Sequence, residues 1–113
     1  MTVLSIPDWA CMGRLVHSQL VSNRSEIDSL FLNEVSKCTD RFRKGDWGLL
    51  CEEDCQGNLD TINAANEGRP GGTLMGAYKT ACSNPVIIWI ITSGYGNQYI
   101  DLCYTTVLYP EEY

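Results

Sequence analysis

Between Glu26 and Arg43 apolar residues return every three or four positions. Ile27, Leu30, Phe31, Val35, Cys38 and Phe42 therefore share one stripe of a helix. Glu26, Asp28, Asn33, Lys37 and Arg41 fall away from that stripe, acids early and bases late, the order a helix dipole favours. Ser25-Glu-Ile-Asp28 resembles a capping box at the start, with Asn23 and Ser25 as candidate N-caps, and Lys44-Gly45-Asp46 ends the helix with Gly45 as a left-handed cap. Upstream, Thr2 to Ser5 reads as a short strand and Pro7-Asp8 as a helix start. Ala10, Cys11, Leu15, Val16 and Leu20 line up on one helical face, weakened by Gly13. A second helical region follows Asp46-Trp47-Gly48, with apolar positions at Leu49, Leu50, Leu59, Ile62 and Ala65 and a division at Gly57.

The period then changes. Glu67 to Gly72 carries three glycines and a proline and reads as a loop. Thr73 to Thr80 is a strand. Val86 to Thr92 is β-branched at nearly every place, as in a central strand covered on both faces. Ser93 to Asn97 is a hairpin loop in which Gly94 and Gly96 take positive φ. Gln98 to Tyr109 alternates, with Ile100, Leu102, Tyr104, Thr106 and Leu108 on one face and Tyr99, Asp101, Cys103, Thr105 and Val107 on the other. Pro110 stops this strand before Glu111-Glu112-Tyr113. The expected architecture is a single α+β domain over residues 1–113, with N-terminal helices packed on a C-terminal antiparallel sheet of three to four strands.

Charge narrows the function classes. The 113 residues hold 14 acids against 8 Lys and Arg, a formal charge of −6, which argues against direct binding of nucleic acid. Residues 1–51 are balanced, so the excess belongs wholly to residues 52–113. An acidic face of this kind steers towards a cationic groove. The basic cluster Lys37, Arg41, Arg43 and Lys44 reads as a solvated helix end. The longest apolar run, Val86 to Ile91, is too short to span a membrane, and the first residues lack the pattern of an export signal. A cytoplasmic protein with reduced thiols is expected for the six cysteines.

Candidate chemistry is sparse. Cys51-Glu-Glu-Asp-Cys55 sets two sulfurs one helical turn apart, but a closed zinc site needs two more ligands, and no second paired spacing supplies them. A solvated helix start, with its acids at the positive end of the dipole, fits the segment better. His17 is the one histidine and reads as a helix-surface or packing residue. The glycine-rich Gly68 to Thr73 lacks the Lys-Ser/Thr ending of a phosphate-binding loop. Neither an enzyme nor a bound cofactor is expected. Trp47 and Trp89 read as core or seam residues tying the Asp-Trp-Gly turn to the central strand. Tyr95, Tyr99 and Tyr113 are candidate anchors for a partner, beside the carboxylates of Glu111 and Glu112.

Three segments together resemble a known family. They are Gly45-Asp-Trp-Gly48 followed by Cys51-Glu-Glu-Asp54 and Asn58; Ile88-Trp-Ile-Ile-Thr92; and Thr105-Thr-Val-Leu-Tyr-Pro-Glu-Glu-Tyr113. This order is similar to that of small accessory proteins carried on plasmids, integrative elements and phages, over about residues 42–113. The longer Ser93–Gln98 loop departs from the family pattern. The resemblance implies no catalytic residue. It implies a mobile-element protein in a bacterial cytoplasm, where small acidic proteins counter host defence and some anti-CRISPR proteins fill a nuclease's basic channel. The expected function is inhibition of a host nucleic-acid-handling defence protein. Glu52, Glu53, Asp54, Glu111 and Glu112 would mimic phosphates, and Tyr95, Tyr99 and Tyr113 would anchor. The alternatives are a small regulatory domain for element maintenance, homodimeric through its sheet edge, and a thiol or zinc protein built on Cys51 and Cys55.

Overall fold

Ser18 closes a short extended run and opens a helix, its hydroxyl accepting from the Val21 N–H. In the computed structural model, which describes residues 13–97 and 102–113, that run is strand β1 (Arg14–His17). Helices α1 (Gln19–Ile27), α2 (Ser29–Arg43) and α3 (Glu52–Asn66) follow, then strands β2 (Gly72–Lys79), β3 (Ile87–Tyr95) and β4 (Tyr104–Leu108) and a 3₁₀ turn, Pro110–Glu112. The expected strand Thr2–Ser5, the helix start at Pro7-Asp8, the apolar positions Ala10 and Cys11, and Tyr99, Ile100 and Asp101 lie outside the described residues.

The α+β class stands, with two corrections. Leu15 and Val16 lie in a strand rather than on a helical face, so among the described residues a strand precedes the helices. The sheet is consequently mixed: its order is β1-β4-β3-β2, with β1 parallel to β4 and the other pairs antiparallel. Segment 14–17 is too short for its apolar spacing to separate the two periods, and pairing with residues 104–107 decides it.

Helix α2 begins later than the capping-box pattern suggests. Asp28 is the N-cap, its carboxylate accepting from the Phe31 N–H at 3.1 Å, while Ser25 sits inside α1. The break turns the chain, so Ile27 and Leu30 are exposed while Phe31, Val35, Cys38 and Phe42 stay on the buried stripe. Each such side chain contributes about 1.5–3 kcal/mol by leaving water. At the other end Gly45, with φ 80°, makes the left-handed cap: its N–H donates to Phe42 and that of Asp46 to Arg41. Helix α3 is continuous through Gly57.

One buried cluster unites the three helices with the sheet, including Val21, Phe31 and Val35 from the helices and Tyr78, Ile90 and Val107 from the strands. On this helix-covered face Ile90 pairs with Val107, and the hydroxyls of Thr92 and Thr105 meet at 2.7 Å. The opposite face carries Trp89 and Ile91, with Leu108 beside Trp89.

The two sheet edges are treated differently. Along β2, the Thr61 hydroxyl donates to the carbonyl of Thr73, and Asn58 both donates to and accepts from the backbone of Met75 (2.7 and 3.0 Å). The Ala77 N–H reaches the Trp47 carbonyl, and the Leu49 N–H reaches the Ala77 carbonyl. This edge is closed by α3 and by the chain that leads to it. The Gly-Asp-Trp-Gly segment is thus a structural lock. The Asp46 carboxylate takes Arg41 at 2.7 Å and the Gly48 N–H at 3.1 Å, and the Asp46 carbonyl accepts from the Tyr78 hydroxyl.

Candidate partner-binding surface

Cys51 is the N-cap of α3, and its side chain makes no capping hydrogen bond. The next residues, Glu52, Glu53 and Asp54, fill the first turn, where the uncapped N–H groups favour negative charge. All three are exposed, and none has a hydrogen-bond or ion-pair partner among the described residues. Five acids elsewhere are matched. Asp28 pairs with Arg24, Glu34 with Lys37, Asp40 with Arg43, Asp46 with Arg41 and Glu67 with Arg69. Four of the first-half acids are thus held in ion pairs. In the cluster expected as a solvated basic helix end, Lys37, Arg41 and Arg43 each answer a carboxylate.

Two of the paired acids are tuned by these contacts. The Arg41 hydrogen bond holds the Asp46 carboxyl below its ordinary range, and the Ala81 N–H does the same for Glu34. Burial pushes the Cys55 thiol up, with its neighbours Cys51, Asp54 and Glu52 adding to the shift, which disfavours a reactive thiolate. Cys55 turns towards the Leu50 carbonyl at 3.8 Å. Among the described residues no group of three or more His, Cys, Asp or Glu is placed to hold a metal ion.

The other predicted residues divide. Glu111 is exposed, and so is Tyr113, although its ring meets Trp89 edge-on at 5.5 Å. Glu112 is committed internally: one oxygen accepts from the Ser18 hydroxyl at 2.7 Å and from the Tyr109 N–H at 2.9 Å. It fastens the C-terminal turn to the start of α1 and is corrected from a free phosphate mimic to a structural clasp. Tyr95 is corrected too. It is 5 % exposed and belongs to the core, because the strand continues past the expected hairpin start and carries it inward. Tyr99 lies outside the described residues.

Register fixes where the free acids stand. Asn58 lies against Met75 and Thr61 against Thr73, so α3 runs antiparallel to β2, and its first turn points past the end where Lys79 pairs with Ile87. β4 finishes at the same end, with Leu108 opposite Trp89, and the Pro110–Glu112 turn follows it. Glu111 and the α3 acids thus lie towards one end of the sheet, Glu111 in the turn after β4 and the others on the helix along β2, with β3 between those two strands. They are carried by two different elements.

Sequence reasoning did not single out a small cavity of about 160 Å³ between β1 and α2, lined by Leu15, His17, Val35, Ser36, Asp40 and Arg43 among others. No motif marks it, because residues 14–17 become a strand only by pairing with β4. Burial lowers the pKa of His17 here, favouring a neutral imidazole. Among the described residues no helix is long and apolar enough to cross a membrane. No protein-family profile, curated protein or solved structure matches the chain.

Proposed function

We propose that this chain is a non-enzymatic inhibitor that binds a nucleic-acid-handling defence protein of a bacterial host, of the CRISPR-effector kind, and keeps nucleic acid out of its cationic cleft. The observation that carries this reading is the unpartnered triplet Glu52, Glu53 and Asp54, displayed by a helix whose other end is anchored to the sheet. Consecutive helical residues fan outwards, so the three carboxylates spread around one helix tip and present acceptors in several directions. Glu111 and the exposed Tyr113 supply a second contact at the same end of the sheet. The resemblance of the motif order to that of mobile-element accessory proteins supports the host context and, with it, a bacterial cytoplasm as the proposed location.

Affinity capture from bacterial lysate tests the reading. The native chain is expected to retain a nucleic-acid-binding protein that added DNA or RNA elutes. The Glu52→Lys/Glu53→Lys/Asp54→Lys variant, shown to be folded by its circular dichroism, is expected to lose that protein. Capture unchanged by the reversal, or unaffected by polynucleotide, contradicts the proposal.

A further inference from the structure

One sheet edge is closed by side chains and backbone, and the other is open among the described residues. In β1 the N–H of Arg14 donates to Cys103 and that of Ser18 to Val107, the alternation of a parallel ladder with Val16 between them. The N–H and C=O groups of Leu15 and His17 therefore point away from β4. No partner for them occurs among the described residues. Leu15 and Val16 are 41 % and 38 % exposed along this edge. An open edge with apolar side chains is a template for another strand.

We propose that β1 pairs antiparallel with β1 of a second copy of this chain, about a two-fold axis through Val16. In that register Leu15 faces His17 of the second copy and exchanges both backbone hydrogen bonds with it. The symmetric pair does the same, so every outward group of the two residues is satisfied. Shifting the pairing by one residue would offer backbone groups already used by β4. The charges agree as well. Arg14 has no ion-pair partner among the described residues, and the register sets it opposite Ser18 of the second copy, whose hydroxyl is hydrogen-bonded to Glu112. Arg14 thus meets a carboxylate across the axis. Val16 meets its own copy on the face away from the helices, and the two four-stranded sheets become one.

Sedimentation equilibrium and a cysteine scan test the pairing. The native chain is expected to approach twice its 12.6 kDa between about 1 µM and 1 mM, and Val16→Lys, which opposes two ammonium groups at the axis, to weaken the dimer about tenfold or more. In a Cys51→Ser background, Val16→Cys is expected to form a covalent dimer on mild oxidation, because directly opposed non-hydrogen-bonded residues stand ~4.5 Å apart at Cα. Leu15→Cys, facing a histidine, is expected to remain uncrosslinked, as is the background chain. A native chain that stays monomeric throughout the range overturns the proposal, whether or not another extended segment pairs with the edge. So does a dimer that Leu15→Cys locks and Val16→Cys does not. The reversal at Glu52–Asp54 leaves the dimer intact, so failure here is separate from failure of the inhibitory reading.

Discussion

Gly48 turns with φ +67°, and a Cβ there would stand 2.1 Å from the Ala77 carbonyl oxygen that receives the Leu49 N–H. Gly48→Ala is expected to cost about 2 kcal/mol or more, read by denaturant unfolding. Gly57 is the counter-case: it lies inside α3 with nothing within 4 Å of a built Cβ. Gly57→Ala is expected to stabilise by about 0.5–1 kcal/mol. Composition alone treats these two glycines alike, because the demand on Gly48 comes from a strand about thirty residues away. His17, the single histidine, offers a second check at this scale. Burial beside α2 lowers its pKa from 6.5, in a cavity it shares with Asp40 and Arg43. The unfolded chain then binds the proton more readily, so this share of stability is present above pH ~6.5 and is lost as pH falls below it. The imidazole NMR signal is expected to titrate with a midpoint under 6.5 in the folded protein. A midpoint at or above that value contradicts the assignment to burial.

At the scale of elements, α3 starts without a side-chain cap although Cys51 already has the extended backbone (φ −71°, ψ 162°) that a capping residue needs. Cys51→Ser is expected to supply the missing acceptor for the Asp54 N–H and to raise stability by ~1 kcal/mol, about 4 °C in Tm. An unchanged Tm would mean that the acids of the first turn already satisfy the helix end. The α2 stripe, its Gly45 cap and the β-rich C-terminal half were legible because each is written in local period and local turn chemistry. The α1–α2 break was not. Ser25 and Asp28 compete for the same cap, and the winner is fixed by a distant contact: Arg24 bonds Asp28 and also the carbonyls of Ser83 and Asn84. Strand β1 was hidden for the same reason, since its identity depends on β4. The Gly-Asp-Trp-Gly and Asn58 motifs were visible as patterns, but their job of sealing the β2 edge belongs to the folded chain.

Across the whole molecule, the sequence located the excess charge in residues 52–113 but not its arrangement. Ion pairs absorb Asp28, Glu34, Asp40 and Asp46 of the first half, while Glu52, Glu53, Asp54 and Glu111 of the second stand exposed. Of the residues expected to meet a partner, Tyr95 went to the core and Glu112 to an internal clasp, because a strand's length and a helix cap outcompeted solvent exposure. Glu52, Glu53 and Asp54 form an acidic helix tip on a helix fastened to β2, and the proposed function rests on its competing with phosphates. The most direct measurement is displacement of labelled DNA or RNA from the captured target by increasing amounts of this protein. The account predicts full displacement by the native chain and none by the triple lysine variant. Simultaneous binding of polynucleotide and protein to that target would contradict it.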